Sequence, residues 1–81
     1  MKAHVYVTLK RTVLDPQGQT IQNALKKLQY KGIEDVRQGK YFQITLDSGM
    51  PADGARAEVE RIAKDVLTNP VIEEFTYRLD D

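Results

Sequence analysis

Hydrophobic positions recur with two different periods along the 81 residues. Between residues 3 and 9 every second side chain is apolar. Ala3, Val5, Val7 and Leu9 share one face, and His4, Tyr6 and Thr8 share the other. This is the pattern of a half-buried strand. From residue 16 to about residue 30 the period becomes helical. Ile21, Ala24, Leu25 and Leu28 make one stripe, while Gln22, Asn23, Lys26, Lys27 and Gln29 turn to water. Asp15-Pro16 predicts the start of this helix, because the carboxylate accepts an orphan N–H and proline at the first position gives up no needed donor. Gly32 predicts its C′ end, with Lys31 near the negative pole of the helix dipole. Gly18, in the first turn, weakens the helix and predicts close approach of another chain.

The central stretch, residues 36–46, keeps one parity throughout. Val36, Phe42, Ile44 and Leu46 are even-numbered; Arg37, Gly39, Tyr41, Gln43 and Thr45 are odd. Unbroken parity predicts a single long strand bent at Gly39, roughly 36 Å long at about 3.3 Å per residue. So small a domain cannot cover such a strand alone. One end is expected to serve this subunit's sheet and the other to project toward a second subunit. Two short strands joined by a tight turn at Gln38-Gly39 satisfy the same parity. Residues 47–54 read as a connector. A second helix is predicted from residue 52 or 53 to 67, its stripe being Ala55, Val59, Ile62, Ala63, Val66 and Leu67, with an i,i+4 Glu60–Lys64 pair on the solvated side. Asn69-Pro70 ends it. The last strand is read from 71 to 79, with Val71, Phe75, Tyr77 and Leu79 on one face, Glu73 as the exception, and Ile72 pointing the other way.

The order strand, helix, long strand, helix, strand predicts a two-layer α+β sandwich. Both helices would lie on one face of a mainly antiparallel sheet. A hairpin at Gln38-Gly39 would make it ferredoxin-like, βαββαβ. The length allows a single domain over 1–81, whose core is marginal without a staple. There is no cysteine, so neither a disulfide nor a thiolate metal site is available, and oligomerisation is the remaining staple. Twelve basic and twelve acidic residues balance to zero, which argues against nucleic acid or anionic lipid as partner. No run approaches the ~20 apolar residues of a membrane span or reads as a signal peptide, so a cytoplasmic location is expected.

Motifs for chemistry are lacking. No G-x-S-x-G, H-E-x-x-H or phosphate-loop pattern occurs. The doublets Glu34/Asp35, Glu73/Glu74 and Asp80/Asp81 sit at adjacent positions, which on strands face opposite ways and make no dyad. His4, the single histidine, has no partner of metal-ligand type and reads as surface or interface packing. The helix start at Asp15 invites an anion, but an ionised aspartate would repel it, and a plain cap explains it. Tyr6 and Tyr41 among basic residues give only a thin version of an RNA-binding face. Arg37 and Lys40, flanking Gly39, are the candidates for an acidic partner surface, or else an edge charged against aggregation.

Three segments, Leu14-Asp-Pro-Gln-Gly18, Asp35-Val-Arg-Gln-Gly-Lys40 and Asn69-Pro-Val-Ile-Glu73, together resemble the PurS family, the small subunit of phosphoribosylformylglycinamidine (FGAM) synthase in de novo purine biosynthesis. The resemblance covers essentially the whole chain. It implies a non-catalytic subunit that forms dimers or higher assemblies. Such a subunit joins a large ATP-dependent synthetase subunit to a glutaminase subunit and supports ammonia transfer between them. It also implies that ATP and Mg²⁺ belong to the large subunit, within a glutamine-dependent ligase, and that this chain binds no cofactor. Asp15, Pro16, Gln17, Gly18, Arg37, Gly39 and Lys40 are then the expected partner contacts. Replacing Arg37 with alanine is expected to weaken assembly without unfolding the subunit. The alternative is a ferredoxin-like regulatory or adaptor module binding a small ligand at a dimer interface.

Overall fold

The computed structural model describes residues 1–80; the second member of the Asp80/Asp81 doublet lies outside them. Strand β1 (Lys2–Leu9) is central, with β2 (Gly39–Thr45) on one side and β3 (Glu73–Asp80) on the other, both antiparallel to it. The register places Val5 between Phe42 and Tyr77, and Ala3 between Ile44 and Leu79. Alternation thus gathers one apolar face from all three strands. Helix α2 (Ala52–Ile62) covers that face. Ala3, Val5, Val7, Val59 and Ala63 form the buried centre, with Phe42, Ile44, Phe75, Tyr77 and Leu79 packed around it.

The fold class expected from the pattern is the one found, with several boundaries moved. The long strand begins at Gly39 instead of bending there. Residues 36–38 pair with no strand among the described residues, because β1's last partner in β2 is Gly39, opposite Thr8. The Gln38-Gly39 hairpin is not formed within the chain, and neither residue has a positive φ. Gly39 is needed for another reason: a Cβ there would lie 2.6 Å from the Val7 carbonyl oxygen.

Helix α1 (Pro16–Lys27) starts as predicted, with Asp15 as its N-cap. It stops before Gly32. Gln29 takes the left-handed position with φ 68, Tyr30 N donates to Leu25 O at 3.1 Å, and Gln29 N donates to Lys26 O at 3.0 Å. This is a Schellman close built on a glutamine where glycine is usual.

The second helix changes pitch at its end, Ala63–Leu67 forming a π-helical turn. The wider turn rotates Val66 off the predicted stripe, leaving it 74% exposed. Glu60 does not pair with Lys64 and instead accepts from the Tyr77 hydroxyl at 2.7 Å. β3 starts two residues later than predicted. Ile72 N and Glu73 N both donate to Asn69 O, which keeps Val71 in the turn and exposed.

The expectation that both helices cover the sheet is met within one chain by α2 alone. Ile21 is 41% exposed and Leu28 70% exposed, so the stripe of α1 faces solvent. The radius of gyration is 16.2 Å, against about 12 Å for a compact domain of this length.

Candidate assembly surface

α1 leaves the sheet through two connectors, residues 10–15 before it and 28–38 after it, and these are tied to each other. Asp15 is buried, and its two carboxylate oxygens divide the work. Oδ1 accepts from Gly18 N at 2.9 Å, closing the first turn of α1, and Oδ2 accepts from Gln38 N at 2.7 Å. These N–H groups, Gln38's first and then Gly18's, hold the carboxyl below its ordinary value of 3.8, with Arg37 adding a smaller attraction. Arg37 Nη2 donates to Lys10 O at 3.0 Å and to Val13 O at 2.8 Å. Gly18 lies so close to residue 36 that any Cβ would collide with the Val36 carbonyl oxygen. The chain that approaches the helix start is therefore this chain's own 36–38 segment.

Of the seven nominated residues, Asp15, Gln17, Gly39 and Lys40 line one cavity of about 200 Å³ at the end of the apolar face. Pro16 occupies the first helical position and Gly18 is buried beneath it. Arg37 instead lines a neighbouring hollow with Arg11, Asp35 and Glu74. Lys40 Nζ stands 3.5 Å from Glu73 Oε2. Glu73 Oε1 accepts from Asn69 N, and that bond, with Lys40 as the smaller influence, lowers the Glu73 pKa. The sequence reading missed this pair, although a signal existed: Lys40 and Glu73 are the polar exceptions on the apolar faces of their strands, and two exceptions on one sheet face can answer each other.

Two features had no sequence signal. On the polar face, buried His4 is bracketed by the Tyr41 hydroxyl at Nδ1 and Asp80 Oδ2 at Nε2, 3.1 Å away, with Arg78 on the same carboxylate oxygen. The Tyr41 ring stacks on both His4 and Tyr6. Behind the π-helical turn, the buried Thr68 hydroxyl has no hydrogen-bond partner among the described residues. Among the described residues no cluster of three or more potential metal ligands occurs, and no helix is long and apolar enough to cross a membrane.

A three-stranded antiparallel sheet backed by one helix, with a second amphipathic helix held out to solvent, defines a small α+β fold. The family model for PurS, phosphoribosylformylglycinamidine (FGAM) synthase, matches residues 2–81. The FGAM synthase subunit PurS of Bacillus subtilis (strain 168) is 40% identical over 99% of this chain and 93% of its own. That of Mycobacterium leprae is 44% identical over 93% and 90%. Among solved structures, B. subtilis PurS superposes with a TM-score of 0.81 at 40% identity, covering 99% and 98% of the two chains. Methanocaldococcus jannaschii PurS gives 0.86 at 34% identity, covering 99% and 95%. The chain belongs to the PurS family, the small subunit of the multi-subunit FGAM synthase of purine biosynthesis.

Proposed function

We propose that this chain works as a homodimer that joins the large synthetase subunit to the glutaminase subunit of FGAM synthase in the cytoplasm, so that ammonia passes between their active sites. The observation that carries the dimer is uncovered area. The chain exposes 6155 Å², whereas a compact monomer of 9.2 kDa exposes about 4,900 Å². The excess, about 1,200 Å², exceeds the roughly 800 Å² that each partner contributes to a stable interface. Leu14, Ile21, Leu28, Tyr30 and Ile33, on α1 and its connectors, form one group of exposed apolar side chains; Val66, Val71 and Ile72, around the end of the second helix, form another. In the dimer the stripe of α1 covers the second copy's apolar sheet face where α2 leaves it open. Residues 33–38 then run along the free edge of that copy's β2, supplying the fourth strand of a ferredoxin-like sheet.

On this reading the chain supplies shape and closure. Ammonia must be kept from bulk water, so the joint between active sites has to be sealed by packed surface. ATP and Mg²⁺ act at the large subunit, and this chain binds no cofactor. The test is reconstitution of the complex with and without this chain, comparing glutamine-dependent with ammonia-dependent turnover. Loss of the glutamine-dependent rate alone supports the coupling role. Equal loss of both, or no loss, contradicts it.

A further inference from the structure

The contacts that tie the two connectors together converge on the three residues before Gly39. Gln38 N is held by Asp15 Oδ2 at 2.7 Å, the Arg37 guanidinium by the carbonyls of Lys10 and Val13, and the Val36 carbonyl lies against Gly18. Gln38-Gly39 is also where the chain would have to turn for residues 33–38 to lie beside β2 and for α1 to fold onto its own sheet. We infer that this elbow is a conformational lock, which holds residues 36–38 against the start of α1 and selects a two-chain arrangement over closure of one chain into the same fold. The inference rests on the dimer reading above.

The need for a lock follows from what the two arrangements share. In a closed chain the same stripe would cover the same kind of sheet face, and closure within one chain sacrifices no translational freedom. Exchange of an identical element between copies therefore needs something that opposes the turn. Here the opposition is local. A turn at Gln38-Gly39 would break a hydrogen bond to a carboxylate, which is the stronger class, and would draw Arg37 off two carbonyls. A two-residue hairpin turn of type I′ needs positive φ at both central positions, which favours Asn-Gly. Gln38 is unsuited to it, and neither residue has a positive φ.

Two substitutions separate the lock from the interface. Asp15→Asn keeps an acceptor for Gly18 N but places an amide where Gln38 N–H needs an oxygen. Gln38→Asn creates the Asn-Gly dipeptide that a hairpin prefers. Light-scattering mass and small-angle scattering over a dilution series should show the Asp15→Asn dimer dissociating about tenfold more readily. The double variant should be a monomer that melts cooperatively at a concentration-independent temperature. Its radius of gyration should be near 12 Å, against 16.2 Å for the open chain. A double variant that stays dimeric with an unchanged dissociation constant overturns the lock, as does a monomer that keeps the open radius. Should the double variant fail to fold, Asp15→Asn alone decides, and an unchanged dissociation constant counts against the lock. A wild-type chain that is monomeric refutes the dimer reading itself.

Discussion

The stripes of α1 and α2 follow the same helical period, yet Val59 in α2 has no exposed surface while Leu28, next to the end of α1, is 70% exposed. The difference lies in the connectors. After α2 the chain turns at once through Asn69-Pro70 into β3, which lies beside β1, so α2 is delivered onto the sheet it helped to pattern. After α1 the chain runs through residues 33–38 outside any strand, with 36–38 under the hold of Asp15 and Arg37, and α1 is delivered away from it. Amphipathic periodicity establishes that a face will be buried; it does not say in which molecule.

The contrast is broken most severely at its centre. Val5→Asp places an unpaired charge where there is no exposed surface. It should leave the chain unfolded at 25 °C, seen as loss of the far-ultraviolet dichroism of the sheet and of any melting transition. Ile21→Asp, on the arm, should instead leave a folded sheet while abolishing the dimer. Light scattering would then report a single-chain mass and the melting temperature would cease to depend on concentration. If the two substitutions behave alike, the arm is part of one chain's own core and the contrast is mistaken.

Smaller effects sharpen the picture. Thr68→Val removes a buried hydroxyl that has no partner among the described residues and keeps the shape. Stability in urea should rise by about 1 kcal/mol. Gln29→Gly relieves a left-handed φ of 68 and should add about 0.5–1 kcal/mol, read as a higher denaturation midpoint with unchanged slope. The pH dependence should be the slightest effect. Because folding lowers the Asp15 pKa, its contribution is complete above the ordinary carboxylate range and is lost as the pH falls below about 4. The stability gap between wild type and Asp15→Asn should therefore be constant near neutrality and close in acid.

Much of the fold was written in the spacing of side chains. Ala3, Val5 and Val7 gave β1 and its buried face, and Asp15-Pro16 gave the start of α1 and the cap itself. The boundaries that moved did so for reasons outside local pattern. Val36 has the parity of a strand residue, but pairing needs a neighbour, and β1 ends at Leu9, two residues short of the position the β2 register would put opposite Val36. Val66 has the period of the buried stripe, but the π-helical turn resets the count. Of the nominated surface, Asp15, Gly18 and Arg37 were expected to touch a partner, and the contacts seen are within the chain. Their bonds to Gln38, Val36, Lys10 and Val13 join residues distant in sequence, which spacing alone cannot reveal. The His4–Asp80 contact is hidden for the same reason, lying at opposite ends of the chain.

The most direct test of the account is the mass of the unmodified chain in solution, measured by light scattering from micromolar to hundreds of micromolar. A value near 18 kDa, twice 9.2 kDa, with a melting temperature that rises with concentration, is what an exposed arm covered by a second copy predicts. A mass of 9.2 kDa across the range, with a concentration-independent melt, would contradict it.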